Sequence, residues 1–334
     1  MKTLNRRTVL AGSTAAAAAG FVSKVSQTTA YAAAPMLGKQ VPGYYRYKVG
    51  AFEVTVVSDG VRPTPIADTI ARNASKEAIG SALESLYPGQ ARERLTYTFT
   101  PVVVNTGAKL VAIDSGTGPG TLAQSNGALG QYHDNLSGAG IARDAVDTVI
   151  ISHFHGDHIG GLLTADGKPA FPNAEIMVPA AEWAHWMDDA KMNAAPEAAR
   201  GGFQNVRRIF GALGKQVSQY ESGKELVPGI SAVASYGHTP GHTSHVVSSG
   251  SGRLLVQSDI TAGPAMLFAR NPAWQFSSDT DAAMAVETRR KLYDMAVAEK
   301  MLVMGYHFPF LSGFYLQKEG EGYRVTPATW NSSL

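Results

Sequence analysis

An apolar, β-branched run, Val149-Ile150-Ile151, leads almost directly into His153-Phe154-His155-Gly156-Asp157-His158, which packs three imidazoles and a carboxylate into six residues. Such a run reads as a buried strand, so the polar loop leaves a strand end. Gly156 permits a tight turn, and Gly160-Gly161 lets the chain start a helix close to the loop. Imidazole nitrogens and carboxylate oxygens are ligands for zinc, manganese, iron or cobalt. Four donors are more than one tetrahedral structural ion can easily take from six residues. The residue types therefore point to two ions, with His153 and His155 on one and Asp157 and His158 on the other. The competing reading is a surface loop rich in His by chance. That three of the chain's nine His fall here argues against it.

Similar residues recur after other apolar runs. Gly237-His238-Thr239-Pro240-Gly241-His242-Thr243 is a loop stiffened by Pro and Gly that can present an imidazole. Asp259 ends the strand around Leu254-Leu255-Val256, where a lone buried carboxylate needs a partner and bridging two cations supplies one. His307, in Gly305-Tyr306-His307-Phe308-Pro309, follows the run Met301 to Met304. The expected ligand set is His153, His155 and His242 on one ion and Asp157, His158 and His307 on the other, with Asp259 bridging. His133, His185 and His245 have no ligand spacing, and Ser58-Asp59 reads as a turn.

Elsewhere the pattern alternates strands and helices. Strands are expected at 52–56, 95–105, 110–113, 146–152, 174–178 and 230–235, a hairpin around 245–256, a strand at 301–304 and a closing hairpin over 314–325. Helices are expected within 61–94 (with Ser75 as N-cap), near 121–129, and over 180–190, 197–213 and 281–300, the last with Ala283, Val286, Leu292 and Val297 toward the core. Ligands gathered at strand ends make a site at one edge of an α/β fold.

The 334 residues suffice for a large core. Absence of Cys excludes disulfides, thiolate ligands and a Cys nucleophile. The first 34 residues hold Lys2, Arg6, Arg7 and Lys24 and no acid; the remainder has 25 basic against 27 acidic residues, and no basic patch suggests nucleic acid. Asn5-Arg6-Arg7-Thr8-Val9-Leu10 before the Ala-rich stretch 9–22 resembles a bacterial twin-arginine (Tat) signal, with cleavage expected after Ala32 or Ala34; an ordinary Sec signal is the alternative. The expected organisation is a signal at 1–34, one catalytic domain over 35–334, no membrane span, and a periplasmic or secreted location.

The His153 to His158 loop, a distal imidazole, Asp259 and a final His307 occur in the order found in metallo-β-lactamase-fold hydrolases. The chain also resembles the methyl parathion hydrolase group in Pro42-Gly43-Tyr44-Tyr45-Arg46, Ser58-Asp59-Gly60, Ala170-Phe171-Pro172-Asn173-Ala174, Val227-Pro228-Gly229-Ile230 and His307-Phe308-Pro309-Phe310. The resemblance implies an α/β fold, a four-layer αβ/βα sandwich with a dinuclear site at the sheet edge. It implies two divalent ions, zinc or alternatively manganese, cobalt or iron. It makes His242 the distal ligand and His238 structural. It places Asp114 behind the ligands, orienting an imidazole, and Trp186 and Phe203 in the substrate pocket, although both also suit ordinary helix core. A homodimer is expected by analogy. The Gly-rich stretch 116–134 departs from that group and is expected to line the leaving-group pocket.

The chemistry implied is attack by a hydroxide shared between the ions, with Asp259 and Asp157 as the catalytic carboxylates. The expected substrate is an organophosphate triester of the methyl parathion type; the alternative is a lactone or aryl ester, such as an acyl-homoserine lactone. A mononuclear iron dioxygenase and an inactive binding protein are the readings from other classes.

Overall fold

The computed structural model describes residues 36, 38, 40–65, 67, 70–88, 94–262 and 265–334. The expected signal segment lies outside them. Residues from Val41 to Leu334 form one compact unit. Its first strands are β1 (Tyr44–Val49), β2 (Phe52–Val57), β3 (Gly60–Pro65), β4 (Arg94–Phe99), β5 (Val102–Asn105), β6 (Leu110–Ile113), β7 (Thr148–Ile150), β8 (Glu175–Pro179) and β9 (Val217–Tyr220). The second half supplies β10 (Glu225–Val227), β11 (Ile230–Ala234), β12 (Thr243–Ser249), β13 (Gly252–Ser258), β14 (Leu302–Gly305), β15 (Gly313–Glu319) and β16 (Gly322–Pro327). The helices are α1 (Lys76–Leu86), α2 (Gly120–Gln124), α3 (Tyr132–Gly138), α4 (Gly156–Ile159), α5 (Ala180–Trp186), α6 (Asp189–Ala194), α7 (Glu197–Leu213), α8 (Ala265–Arg270) and α9 (Ala282–Ala298). Among the described residues, none is long and apolar enough to cross a membrane.

Two seven-stranded sheets form, in the orders β1-β2-β5-β6-β7-β8-β9 and β10-β11-β12-β13-β14-β15-β16. Strands β6 to β9 pair in parallel, as do β13 and β14; the other neighbours in both sheets are antiparallel. Successive residues of the central strands enter different cores. Val111, Ile113 and Ile150 face Leu254, Val256, Leu302 and Met304 between the sheets. Ala112 and Val149 pack outward with Val206, Ile209 and Phe210 of α7. Leu255 and Val303 pack outward with Leu292, Tyr293 and Ala296 of α9. Strands buried on both faces need apolar residues at every position, which is why they read as continuous runs. The result is four layers, helix, sheet, sheet and helix.

Several sequence expectations need correction. The stretch 95–105 is two strands, β4 and β5, split at Thr100-Pro101 and assigned to different sheets. Strand β3, in a segment expected to be loop and helix, pairs with β4 in a separate two-stranded ribbon, where Pro63 and Pro65 are tolerated. The helix expected at 180–190 is two, α5 and α6, the second restarted by Asp188, whose carboxylate accepts the amides of Ala190 and Lys191. On α9, Ala283 is exposed, while Arg289 lies on the buried face with Ala285 and Leu292. Ser75 does cap α1, accepting the Ala78 amide at 3.2 Å.

Candidate metal centre

Five strand ends converge at one edge. Asp114 follows β6, His153 to His158 follow β7, His238 and His242 lie between β11 and β12, Asp259 follows β13, and His307 follows β14. Close backbone approach holds the loops together. A Cβ on Gly161 would fall 1.8 Å from the Ser115 carbonyl oxygen, and one on Gly241 would fall 2.3 Å from the Glu182 nitrogen. Only glycine fits at either place.

The side chains form two groups. His153, His155, His238 and Asp259 make one; Asp157, His158 and His307 make the other. His155 Nδ1 is 3.0 Å from both His153 Nε2 and His238 Nε2. Asp259 Oδ2 stands 3.4 Å from His238 Nε2 and 3.4 Å from His307 Nε2, so its carboxylate lies between the groups. Asp157 Oδ2 is 3.7 Å from His158 Nε2 and 3.5 Å from His307 Nε2. Donors at about 2.0–2.1 Å from a tetrahedral ion lie about 3.4 Å apart, and these spacings, with His153 Nε2 4.0 Å from Asp259 Oδ2, fall on both sides of that value.

The tautomers agree with a metal site. Ser152 donates its hydroxyl proton to Asp114, so His153 Nδ1 donates to Ser152 Oγ at 3.0 Å. His158 Nδ1 donates to Asp114 Oδ2 at 2.8 Å, His307 Nδ1 to the Thr98 carbonyl at 2.8 Å, and His238 Nδ1 to Asp279 Oδ1 at 2.9 Å. Each of these four rings then turns Nε2 into the cluster, the nitrogen whose lone pair a metal would take on displacing any proton there, which is the usual arrangement of metal-bound imidazole. His158 Nε2 and Asp259 Oδ1 are buried with no hydrogen-bond partner. Buried orphans of this kind are costly unless something fills the gap. The donor set and its orphaned atoms fit divalent cations.

The protein's own electrostatics divide the imidazoles. Burial, reinforced by neighbouring imidazoles, pushes His153 and His242 well below the ordinary range and His155 to about 3, so all three are neutral at pH 7. Burial opposes charge on His158 and His307 too, but Asp114, Asp259 and Asp157 hold His158 well above the ordinary range, and Asp259 and Asp157 raise His307. Burial likewise opposes charge on Asp259, which His307 and His158 nevertheless hold ionised.

His238 and His242 exchange the roles expected from sequence. His242 Nε2 accepts the Asp259 amide at 2.9 Å, and its Nδ1 donates to the Ser235 carbonyl at 3.0 Å. Both nitrogens are consumed by the protein, so His242 anchors the backbone beneath Asp259, while His238 enters the cluster. Neither motif nor spacing could choose between two imidazoles four residues apart.

Three other carboxylates escaped the sequence reading. Glu182, fully buried on α5, accepts the amide of Phe154 at 3.1 Å, that of Gly241 at 2.7 Å and the Trp186 indole N–H at 2.7 Å. It thereby ties the His153 loop to the His238 loop. Asp279 backs His238 and lies 3.7 Å from the guanidinium of the buried Arg289. Asp59, expected in a simple turn, is buried and accepts the amide and hydroxyl of Thr117 and the Tyr132 amide, which pins the Gly-rich stretch. Burial raises it to about 6 against those hydrogen bonds.

A cavity of about 560 Å³ opens beside Asp157 and is lined in part by Thr117, Gly118, Gly120 and Leu129 of the Gly-rich stretch. Trp186 and Phe203, expected in the pocket, are not among its lining residues. They pack against each other at 4.7 Å, with Trp186 6.4 Å from His155 and Phe203 buried on α7. His133 and His245 hydrogen-bond Gly161 and Tyr220, and His185 stacks near Phe203, so none joins the cluster.

Comparison with curated protein sequences finds no match. Among solved structures, a hydrolase named AbOPH, of the beta lactamase superfamily, is 25% identical with a TM-score of 0.79, over 88% of this chain and 100% of that one. AidC, a dizinc quorum-quenching lactonase in complex with a product, N-hexanoyl-L-homoserine, is 24% identical with the same TM-score and coverage. A probable metal-dependent hydrolase from Staphylococcus aureus is 20% identical with a TM-score of 0.67, over 86% of this chain and 100% of that one. The family model of the metallo-beta-lactamase superfamily matches residues 100–290, a span that contains six of the seven clustered side chains. More than half of the sequence thus agrees with the sheets and the strand-end loops, and the chain belongs to the metallo-β-lactamase superfamily as a metal-dependent hydrolase.

Proposed function

We propose that the protein hydrolyses a lactone or carboxylic ester at this centre. The observation that carries the reading is the pair of donor groups with the Asp259 carboxylate between them, beside a cavity whose wall includes Arg62, Thr117, Gln124, Asn205 and Arg208. His153, His155, His238 and Asp259 would hold one divalent cation, and Asp157, His158, His307 and Asp259 a second. Cations so held supply a water of near-neutral pKa and polarise the scissile carbonyl. The chain's residues do the rest. Asp114, Asp279 and the Thr98 carbonyl fix His158, His238 and His307 with their Nε2 atoms inward. Asp157, with a quarter of its side chain exposed, is the clustered carboxylate that opens to the cavity. The likeness to a lactonase crystallised with its product supports an ester-type substrate.

Triester hydrolysis of the methyl parathion type is the second reading. The half-buried Trp186 ring, 6.4 Å from His155, favours it, since it is an aromatic face near the cluster on which an aryl leaving group can stack. The polar side chains of the cavity wall favour the first. The twin-arginine segment supports an exported enzyme with 35–334 as its mature catalytic domain. The test is kcat/KM of metal-quantified mature protein on an acyl-homoserine lactone, a simple aryl ester and a methyl-parathion-type triester. Turnover of lactone or ester well above triester is expected; a clear triester preference would reverse the order of the two readings.

A further inference from the structure

The cavity beside Asp157 is lined by side chains that differ in what they can offer a ligand. Its wall includes Thr117, Thr121 and Thr164, but each hydroxyl proton is already committed: to Asp59 Oδ2 at 2.6 Å, to the Thr117 carbonyl at 3.2 Å, and to Asp166 Oδ1 at 2.5 Å. Those hydroxyls can only accept from a ligand. Gln124 and Asn205 are neutral. The charged donors left are Arg62, from β3, and Arg208, from α7.

Neither guanidinium has a carboxylate partner among the described residues. Arg62 lies over the Phe99 ring at 5.4 Å, and that ring packs edge-on against His307 at 5.1 Å. Arg208 donates to Asn205 Oδ1 at 2.9 Å. Its neighbour Arg207, by contrast, pairs with Asp189 at 2.5 Å. Among the described residues, Asp157 is the sole acid in the cavity wall, and it belongs to the metal-binding group. Two forked, permanently charged donors, exposed side chains from separate elements, therefore face one cavity whose described lining offers no carboxylate apart from Asp157. Guanidinium geometry matches an oxyanion bidentately, and such charge-assisted bonds are about twice as strong as neutral ones.

We propose that the substrate of this site carries an oxyanion, a carboxylate or a phosphate-type group, away from the bond that is cleaved, and that Arg62 and Arg208 bind it. The proposal rests on the ester or lactone reading above and deepens it to an anionic member of that class.

The test compares the zinc-loaded protein with Arg62→Gln, Arg208→Gln and the double variant. The probes are 4-nitrophenyl butyrate, mono-4-nitrophenyl glutarate and the corresponding phosphonate-bearing ester; the last two separate carboxylate from phosphate-type recognition. Wild type should favour one of the anionic esters. Each substitution should lower its kcat/KM about tenfold, mainly through KM, while turnover of the butyrate ester stays near wild type. High ionic strength should shrink the preference. Calorimetric binding of the glutarate monoanilide and of its phosphonate analogue, against neutral butyranilide, gives a readout independent of turnover. Binding of either anionic anilide that weakens in the double variant, without hydrolysis of any ester, would sink the hydrolase reading and leave recognition standing. Butyrate turnover equal to that of both anionic esters, with all variants unchanged, would overturn recognition and leave the hydrolase. Absence of both turnover and Arg-dependent binding would overturn both.

Discussion

His238 and His242 lie on one short loop, both buried, yet one faces the cluster and the other holds a backbone amide. The difference is readable only once both ring nitrogens are assigned partners. His238→Ala should therefore lower bound metal per chain and cut activity by at least about a hundredfold, whereas His242→Gln, which retains an acceptor for the Asp259 amide, should keep near-wild-type stoichiometry with metal affinity weakened about ten- to a hundredfold. Metal analysis of the purified variants decides this; equal metal loss in both would return His242 to the ligand set. The residue types at His153, His155, Asp157, His158, Asp259 and His307 were legible because imidazole and carboxylate after a β-branched run have few other uses. Asp59 and Arg289 were not, since a lone acid beside glycine looks like a turn and a lone Arg on a helix looks solvated. In fact Arg289 donates to the carbonyls of Ile260, Pro272 and Trp274.

Helix α5 is short, and its importance lies in one position. Glu182 joins two ligand loops that are far apart in sequence through the amides of Phe154 and Gly241. Glu182→Gln replaces one accepting oxygen with a donor facing another donor. The variant should lose about 2–4 kcal/mol of stability and bind zinc about ten- to a hundredfold more weakly, seen by denaturant unfolding and metal titration. Unchanged unfolding and titration would mean that the loops are held by their own turns. The strands that carry the centre were visible as apolar runs because both faces are buried. The ribbon of β3 and β4 was hidden, because Arg62-Pro63-Thr64-Pro65 obeys the rules of an exposed edge rather than of a core.

At the scale of the molecule, buried imidazoles make stability depend on pH. Burial holds His245 at about 4, below its unfolded value of about 6.5. The unfolded chain therefore binds more protons between those values, and stability falls as pH drops from about 6.5 toward 4. The full contribution is about 3 kcal/mol. Denaturant midpoints of the metal-free protein should fall across that window, and His245→Asn should flatten the slope; identical slopes would place the effect on the other buried imidazoles. Chelation should likewise lower the unfolding midpoint and abolish hydrolysis, and restored zinc should return both, by about 4 kcal/mol at a thousandfold excess over Kd. The two sheets follow one another in the chain, and each metal-binding group takes side chains from both. His153, His155, Asp157 and His158 come from the first, and His238, Asp259 and His307 from the second. Neither half can assemble a complete centre alone. Bound metal per chain is thus a count of molecules whose two halves have finished closing on each other, so a metal assay doubles as a census of complete assembly.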